Sequence, residues 1–403
     1  MTTEQVRRDD APLRIAIVYD CLYPHTIGGC ERWYRAVAER LARRHRVSYL
    51  TRTQWDAGGG PDAPAGVEVI AFDAGRKLYT ASGRRRIMPP LRFGIAVLLH
   101  LMRNRHHYDV VHTCSFPYFP LLAAVAAKRA GGPAVLTDWI EVWTDDYWRA
   151  YLGRVGGAFG SAVQKLCISL TGPSFTLSAL AARVLREHGY RGNPNLLKGI
   201  YDGPVLPPPT QIQRPPILVY AGRHIPEKQL TLIPQAVAIA RHDLPELRAV
   251  IFGDGPERPR VLNEVARLGL DGVVQCPGFA PWAQIDCALA SAMCLILPSR
   301  REGYGLVVIE AAARGTPSVV IEGADNAATS LIENGINGFV VHAAQPAALA
   351  EAIVRTHAAG PALVRSTYSW FRAHADELSV DNSVRQIEMA YRSLVKSAAV
   401  CKT

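Results

Sequence analysis

The chain has 403 residues, 49% of them hydrophobic and 20% charged, which is the composition of a globular protein with a large core. At roughly 100–200 residues per domain, this length favours two domains. The formal net charge of +10 suits a phosphate-bearing ligand or an anionic membrane surface. No zinc-finger, helix-turn-helix or RNA-recognition motif is present, which argues against nucleic acid as a partner.

Cysteine usage and the lack of a targeting segment indicate a reducing compartment. The eight cysteines form no Cys-x-x-Cys pair and no Cys/His spacing typical of a metal site, so we expect reduced, mostly buried thiols. The N-terminus, MTTEQVRRDD, has no apolar segment, and the longest apolar run, FGIAVLLHLM, is too short to span a bilayer. We therefore expect a cytoplasmic protein.

In the first half of the chain, strand-like apolar runs alternate with segments of helical length. The run RIAIVYD (14–20) ends at a polar loop, as a buried parallel strand does, and the loop leads into the helical segment RWYRAVAERLARR. The further strand-like runs are VSYLTR, VEVIAF, DVVHTC, AVLTDW and SFTLS. This alternation predicts a doubly wound parallel sheet.

The stretch GPVLPPPTQIQRPP (203–216) separates this half from a second α/β half. Its proline content excludes a helix or a central strand, so it predicts a linker. The second half has strand-like runs ILVYAGR, RAVIFG, VVQCPG, CLILPS, PSVVI and GFVV, with helices predicted at 229–242, 257–268, 281–292, 306–314, 345–357 and 381–397.

The predicted fold class is therefore α/β, with two Rossmann-like, doubly wound parallel-sheet domains. The first domain covers 12–203, the linker 204–216 and the second domain 217–377, with the helix 378–400 packing back onto the first domain. Ligands of such folds bind at the C-terminal ends of the strands, so we expect the site in the cleft between the two facing sheets.

The motif YAGRHIPEKQL (220–230) combines a glycine turn with two cations. Gly222 ends a predicted strand, and the free N–H groups of the helix that follows favour an anion such as phosphate. Arg223 can clamp oxygens with its guanidinium, and Lys228 supplies a point charge. Two solvated surface cations are the alternative for this segment taken alone.

The motif SRREGYGLVVIEAAARGTPSVV (299–320) places two carboxylates around a glycine turn. Gly303 and Gly305 let backbone amides approach a ligand closely. Glu302 precedes the predicted helix, and Glu310 lies about one turn inside it, where a carboxylate can accept bonds from two vicinal hydroxyls, such as those of a ribose. A loop ion pair for Glu302 and a solvated helix face for Glu310 are the structural alternatives.

The same two glutamates could instead form the acid/base pair of a glycoside hydrolase. Such pairs lie about 5–9.5 Å apart, and eight helical residues rise roughly 12 Å, so spacing alone does not exclude this interpretation. The neighbouring phosphate-binding turn argues against it, because a hydrolase of a neutral glycoside has no use for one.

Together, EGYGLVVIEA, with its E-x7-E spacing, GRHIPEK and FGDGPE resemble motifs of glycosyltransferase family 4, whose members are retaining, sugar-nucleotide-dependent enzymes of the GT-B fold. The resemblance is specific over about 215–345 and looser in the first half, where GGCERWYRAVAERLARR is similar to the family's glycine loop and first helix. It implies transfer of a sugar from a nucleoside-diphosphate sugar to an acceptor hydroxyl of a cell-envelope glycan, a lipid-linked intermediate or a natural product.

The resemblance also implies roles for individual residues. Arg223 and Lys228 would hold the donor diphosphate, while Glu302 would bind hydroxyls of the transferred sugar. Glu310 would bind the ribose hydroxyls, and the segment CPGFAP (276–281) would lie along the base. The donor-binding residues implied in this way are Gly28, Gly29, Gly222, Gly278, Phe279, Gly303, Tyr304, Gly305, Leu306 and Glu310.

The acceptor side, in the first domain, departs from the family pattern. Many relatives have a histidine after the strand AVLTDW, and here Asp138 lies in that region, where it could orient an acceptor hydroxyl or act as a base. His112 is a second acceptor-side candidate, with a core histidine as its alternative. Trp139, Trp143 and Tyr147 recur every four residues, which predicts either an aromatic wall for the acceptor or a helix face packed on the core.

No Asp-x-Asp triplet, which holds a metal ion in glycosyltransferases of the other major fold, occurs in the chain. We therefore expect no metal or other cofactor, with Arg223, Lys228 and a helix N-terminus meeting the charge of the leaving diphosphate. A sugar-nucleotide epimerase and a non-catalytic partner subunit remain alternatives. The basic segment 75–107, in which arginine clusters lie beside an apolar run, predicts either a peripheral contact with the inner face of a membrane or a solvated loop before a core helix.

Overall fold

The computed structural model describes residues 11–56, 58–73, 78 and 85–400. The segment MTTEQVRRDD, residues 75–77 and 79–84 of the basic segment, and Cys401 lie outside the described residues. The chain divides into two compact units, one formed by Met1–Ile200 with Ser379–Thr403 and the other by Tyr201–Leu378. In the described part of the chain, no helix is long and apolar enough to cross a membrane.

The first unit is built on a parallel sheet. Its strands are β1 (Arg14–Val18), β2 (Arg46–Arg52), β3 (Val67–Phe72), β4 (Val110–Cys114), β5 (Ala134–Trp139), β6 (Ser174–Thr176) and β7 (Asn195–Leu196). They lie in the order β3-β2-β1-β4-β5-β6-β7, and the order reverses at β1, so β1 and β4 flank the switch point where ligands of such sheets bind. The two residues of β7 are too few for an apolar pattern, which is why the sequence did not predict this strand.

The helices of this unit are α1 (Gly29–Ala42), α2 (Met88–Arg103), α3 (Tyr118–Arg129), α4 (Asp145–Leu170) and α5 (Ala179–Glu187). Hydroxyl side chains cap the N-termini of α4 and α5: Thr144 accepts a hydrogen bond from the Tyr147 amide, and Ser178 accepts one from the Ala181 amide. Helix α1 has no such cap, because the residue before it is Gly28 in an extended conformation. The first turn of α1 therefore presents backbone N–H groups that no side chain at the cap position satisfies.

Helix α4 reverses direction at Gly153. The Asp145 carboxylate accepts a hydrogen bond of 2.5 Å from the Ser161 hydroxyl, although 16 residues of straight helix would separate them by roughly 24 Å. Gly153 has φ 78° and ψ 179°, a conformation outside the helical region that glycine adopts readily. Helix α4 is therefore a hairpin of two helical segments with Gly153 at its tip.

The second unit has its own parallel sheet. Its strands are β8 (Ile217–Ala221), β9 (Arg248–Phe252), β10 (Val274–Gly278), β11 (Cys294–Leu297), β12 (Arg301–Glu302), β13 (Ser318–Ile321), β14 (Asp325–Asn326) and β15 (Gly338–Val341). The main sheet has the order β10-β9-β8-β11-β13-β15, while β12 and β14 pair separately. The helices are α6 (Leu232–Ala240), α7 (Arg258–Arg267), α8 (Trp282–Ser291), α9 (Leu306–Ala312) and α10 (Pro346–Leu378).

Two helices of this unit differ from their predicted ranges. The helix predicted at 229–242 begins only at Leu232, because a short 3₁₀ turn at Pro226–Lys228 is followed by Gln229 with a left-handed backbone. Helix α10 continues far beyond the predicted end at residue 357, with a break at Gly360 before Pro361. Gly360, with φ 50° and ψ −135°, and Pro361 interrupt the helical backbone, so the range contains two helical segments, of which the sequence predicted the first.

The last helix, α11 (Val380–Val400), belongs to the first unit, where Asp381 pairs with Arg40 and Glu388 with His45 of the α1 region. The segment 203–216 contains no helix or strand, and the Arg214 guanidinium donates to carbonyl oxygens of the second unit, among them that of Arg314. The predicted fold class, two α/β domains each on a parallel sheet, is confirmed.

Candidate active site

Three glycine turns lie side by side at the C-terminal ends of β8, β9 and β10. The Gly222 amide donates to the Phe252 carbonyl at 3.2 Å, and the Gly253 amide donates to the Gly278 carbonyl at 2.8 Å. Gly253 has φ 115°, and a Cβ there would collide with the Gly222 carbonyl oxygen, so only glycine allows the two turns to approach. The structure therefore brings the predicted residues Gly222 and Gly278 to one edge of the sheet, with Phe279 exposed beside them.

Lys228 and Glu302 meet at this edge. The Lys228 ammonium lies 2.6 Å from Glu302 Oε1, and the Ser299 hydroxyl donates to the same oxygen at 2.8 Å. The two charged side chains are only 14% and 13% exposed. Residues separated by 74 positions in the sequence, predicted to bind diphosphate and sugar, thus form one partly buried cluster.

Asn326 fixes the position of the segment that carries Glu302. Strand β12 pairs with β14 so that Glu302 lies opposite Asn326. The buried Asn326 amide donates to the Ser299 and Ile321 carbonyls and accepts from the Ala328 amide. In addition, the Arg300 amide donates to the Glu227 carbonyl at 2.9 Å, which joins the two motifs directly. Sequence reasoning missed Ser299 and Asn326 in these positions.

Arg223 is exposed at the start of the turn after β8. The next residue, His224, is fully buried, and burial lowers the pKa of its imidazole. Its amide donates to the Asp254 carbonyl and its carbonyl accepts from the Glu257 amide, so the turn after β8 is fastened to the turn after β9. Arg223 is therefore a surface cation on a rigid support, and its role in holding phosphate stays a prediction.

The glycine turn before α9 is closely packed. Gly305 precedes the helix with φ 99°, and a Cβ there would come 2.6 Å from the Ala328 side chain. Gly303 and Leu306 are partly exposed, whereas Tyr304 is buried and desolvation raises the pKa of its hydroxyl. Glu310 is also buried, inside α9, so a solvated helix face, one alternative for this residue, is wrong.

In the first unit, Gly28 ends the loop between β1 and α1, and Gly29 is the first residue of α1. A Cβ on Gly28 would collide with the Glu31 carboxylate, so this acidic side chain lies against the turn. The Tyr19 hydroxyl donates to Glu31 Oε1 at 3.4 Å. A carboxylate at a helix N-terminus is electrostatically favourable and occupies the kind of position that a phosphate would take.

Asp138 and His112 belong to a buried hydrogen-bond network. His112 Nε2 lies 2.7 Å from Asp138 Oδ1, while the Tyr34 hydroxyl and Trp33 Nε1 donate to Oδ2 at 2.9 and 3.3 Å. His112 Nδ1 lies 2.6 Å from the Tyr391 hydroxyl of α11. With Nε2–H donating to the carboxylate, Nδ1 accepts from the tyrosine, because burial raises the pKa of both tyrosines and keeps their hydroxyls protonated.

This network corrects the prediction of Asp138 as a residue that contacts the acceptor. Its side chain is only 2% exposed, and both carboxylate oxygens accept bonds from inside the unit. His112 is likewise fully buried and bonded through both ring nitrogens, which is the core-histidine alternative. Buried polar groups of this kind are paired because an unpaired one is costly.

The aromatic wall is wrong for Trp139. This residue ends strand β5 and is fully buried, whereas helix α4 begins only at Asp145, so the three aromatic residues do not share a helix face. Trp143 and Tyr147 do pack together, with ring centroids 4.7 Å apart, and both are partly exposed. The four-residue spacing predicted one helix, but Trp139 lies at the end of β5, Trp143 in the following loop and Tyr147 in α4.

Two protein families match the chain. The family described as "Glycosyl transferases group 1" matches residues 206–358, and the "Glycosyl transferase 4-like domain" matches residues 28–196. These two matches cover most of both units. The chain belongs to the family 4-type glycosyltransferases.

Two curated relatives of this chain are named as enzymes that transfer a sugar. The D-inositol 3-phosphate glycosyltransferase of Streptomyces coelicolor is 31% identical over 190 residues, 45% of this chain and 41% of that protein. The alpha-D-kanosaminyltransferase of Streptomyces kanamyceticus is 31% identical over 140 residues, 35% of this chain and 36% of that protein. The matched segment thus spans less than half the length of either relative.

Solved structures show that the glycosyltransferase has the GT-B fold. HepE from Anabaena, in complex with UDP, has a TM-score of 0.71 at 17% identity, with 94% of this chain and 100% of that chain covered. Sucrose-phosphate synthase from Thermosynechococcus elongatus has a TM-score of 0.76 at 19% identity, with 96% and 100% covered. At such low identity the likeness concerns the fold alone.

Proposed function

We propose that this glycosyltransferase moves a sugar from a nucleoside-diphosphate sugar to an acceptor hydroxyl with retention of anomeric configuration. The observation that carries the proposal is the cluster of Lys228, Glu302 and Ser299, which joins a cation suited to diphosphate and a carboxylate suited to sugar hydroxyls. HepE, which shares the fold, is described in complexes with UDP and with UDP-glucose. We therefore take a UDP-sugar as the first donor to test.

In the proposed reaction, the acceptor oxygen forms a bond to the anomeric carbon on the face from which the diphosphate departs. The bond between that carbon and the phosphate oxygen breaks, and its electron pair stays with the diphosphate. The leaving phosphate oxygen takes the proton of the acceptor hydroxyl, so no strong protein base is required. Arg223 and Lys228 stabilise the negative charge that develops on the diphosphate, the role that preorganised donors play at an oxyanion.

We infer from this arrangement that turnover needs no metal ion. Two cations at the diphosphate can supply the charge that a divalent ion would otherwise supply. Full activity in the presence of EDTA is expected, and a loss that added Mg²⁺ or Mn²⁺ restores would contradict this part of the proposal. The acceptor class stays open among a cell-envelope glycan, a lipid-linked sugar and a natural product. Peripheral membrane contact through the basic segment 75–107 is part of the same proposal.

The decisive experiment is a thermal-shift screen of nucleoside diphosphates, followed by product analysis. A ligand that binds only the folded state raises the Tm by mass action, so one nucleoside diphosphate should raise it and Lys228→Ala should remove most of the rise. Lys128→Ala, at an exposed lysine of α3, is the matched control. No shift with any nucleotide would overturn the proposal.

The stereochemistry and the reaction class are tested on the product. NMR of the glycoside should show the anomeric configuration of the donor, and an inverted product would contradict retention. Incubation with donor alone should give at most slow hydrolysis. A new sugar nucleotide formed without acceptor would establish an epimerase, the alternative that no named relative favours.

A further inference from the structure

Large apolar side chains are exposed where the α4 hairpin reverses. Val155 is 85% exposed and Phe159 72%, and Leu152, directly before Gly153, is exposed as well. Val155 and Phe159 lie on one face of the second helical segment, since residues four apart on a helix are neighbours. Leu152 lies next to them, because a Cβ on Gly156 would come 3.0 Å from the Leu152 side chain. Several large apolar side chains exposed at one place make this tip a candidate interaction site.

A second exposed apolar segment lies beside the hairpin. Ile87 and Met88, at the start of α2, are both exposed. The Arg85 amide lies 3.5 Å from the hydroxyl of Tyr151, which is the neighbour of Leu152 in the hairpin. We define the tip patch as Ile87, Met88, Leu152, Val155 and Phe159.

The hairpin presents this patch on a rigid support. The Asp145 carboxylate holds the second helical segment through Ser161 at 2.5 Å and Lys165 at 2.9 Å. Gly160 lies against the ring of Trp148 so closely that a Cβ would collide with it, so the two segments are in close contact. The exposed tip is therefore preorganised, which reduces the entropy lost on binding.

The surroundings of the tip patch are basic. Arg86, Arg149 and Arg154 are exposed around it. The sequence contains no aspartate or glutamate from Gly75 to Tyr108, and none from Tyr147 to Pro173. The carboxylate of Asp146 before this stretch pairs with Arg149 at 2.9 Å. An apolar patch with arginines around it, on two stretches of sequence that contain no acidic residue, suits a surface that is apolar inside and anionic outside.

We propose that the tip patch docks this glycosyltransferase onto the anionic surface of a lipid bilayer, with Val155 and Phe159 entering the interfacial region. The inference rests on the peripheral membrane contact proposed above and assigns it to a surface that includes the hairpin, which the sequence did not indicate. Apolar burial and attraction to anionic lipid both contribute to such binding. A second copy of the chain fits less well, because a symmetric contact would bring the same arginines against one another.

Co-sedimentation of the full chain with vesicles tests the proposal. Vesicles of equimolar phosphatidylcholine and phosphatidylglycerol should bind the protein, and pure phosphatidylcholine vesicles should bind it more weakly. The double variant Val155→Ser/Phe159→Ser should lower the partition coefficient about tenfold or more. Arg86→Ser/Arg154→Ser should lower it by about fivefold per arginine removed and weaken its salt dependence.

Matched controls lie on other surfaces of the chain. Met389→Ser changes an apolar residue of α11 that is 64% exposed, and Arg365→Ser/Arg372→Ser removes two exposed arginines of α10. Neither control should change vesicle binding by more than about twofold.

Three outcomes would overturn the proposal: no binding to anionic vesicles, equal binding by the tip variants and wild type, or a dimer in sedimentation equilibrium that Phe159→Ser dissociates. The same samples are tested for stabilisation by the nucleoside diphosphate. If that stabilisation persists while vesicle binding fails, the docking surface is wrong and the proposed transferase function stands.

Discussion

Glu302 in the second unit and Asp138 in the first are both poorly exposed carboxylates, but they differ in how many of their oxygens accept hydrogen bonds from the protein. Glu302 accepts both of its hydrogen bonds on Oε1, from Lys228 and Ser299, and no described residue donates to Oε2. Asp138 accepts bonds on both oxygens from three side chains, and His112 extends its network to α11. Asp138 is the penultimate residue of β5, Glu302 ends the short strand β12, and both were predicted to act on substrate.

The difference shows what separates a binding carboxylate from a structural one. Glu302 keeps an oxygen that a sugar hydroxyl can use, and its lysine partner is a cation that a diphosphate can also engage. Both oxygens of Asp138 already accept hydrogen bonds from buried side chains of α1 and β4. A network with every group satisfied holds elements together and contributes to stability. We therefore expect variants of the two residues to fail in different assays.

The largest effect is expected from Lys228→Ala. Loss of this cation should lower kcat by about 10²–10³, since removal of one donor to a developing oxyanion costs that much. The variant should stay folded but unfold at a lower temperature than wild type, because Glu302, whose side chain is only 13% exposed, loses its ion-pair partner. Steady-state kinetics beside Lys128→Ala provide the measurement, and near-normal turnover would remove Lys228 from the active site.

Glu302→Gln should lower kcat/KM for the sugar-nucleotide donor more than it lowers the affinity for the free nucleoside diphosphate. Charged hydrogen bonds are worth about 1.5–3 kcal/mol, so kcat/KM for the donor should fall roughly 10- to 100-fold. Titration calorimetry with the free nucleoside diphosphate should show a Kd within about threefold of wild type, because that ligand lacks the sugar. An equal loss for diphosphate and for sugar nucleotide would place Glu302 at the phosphate instead.

Asp138→Asn should affect stability and spare the chemistry. The amide NH₂ would face donors that now point at a carboxylate oxygen, which costs about 1–3 kcal/mol of unfolding free energy. Denaturant unfolding measures that loss, and kcat per folded molecule should stay within about threefold of wild type. A fully stable variant with kcat reduced by orders of magnitude would restore Asp138 as an acceptor-side base.

The third carboxylate in the comparison is Asp145, which is more exposed than the other two. Its substitution should have the smallest effect, a pH-dependent change in unfolding free energy. The Ser161 hydrogen bond, followed by Lys165, lowers the pKa of Asp145 to about 2. A lowered pKa means that the stabilisation is present above the unfolded pKa, near 3.9, and is lost as the pH falls towards 2.

Since its side chain is 41% exposed, the contribution of Asp145 should stay below about 1 kcal/mol. Thermal unfolding of wild type and Asp145→Asn from pH 6 to about pH 2 tests this expectation. The Tm difference should narrow below pH 4, and a constant difference would show that the hairpin does not depend on the charge of Asp145.

Local pattern was sufficient for most of the elements and for locating the two glycine motifs, while the donor-binding roles of their residues stay predictions. The apolar runs that became β1, β8 and β11 were predicted because strands buried on both faces are apolar along most of their length. Lys228 and Glu302 were predicted from motifs with glycine turns at strand ends, where backbone geometry restricts the residue types. Each of these features depends on residues close together in the sequence.

The sequence by itself determined two parallel α/β sheets, the glycine turns and the charged residues beside them. Only the tertiary structure decided that Lys228 meets Glu302, that Asp138 is enclosed by Trp33 and Tyr34, and that α4 folds back at Gly153. The physical reason is that propensity and periodicity are local, whereas burial and hydrogen-bond partners depend on residues far apart in the chain. Lys228 and Glu302 are 74 positions apart, and His112 meets Tyr391 across 279.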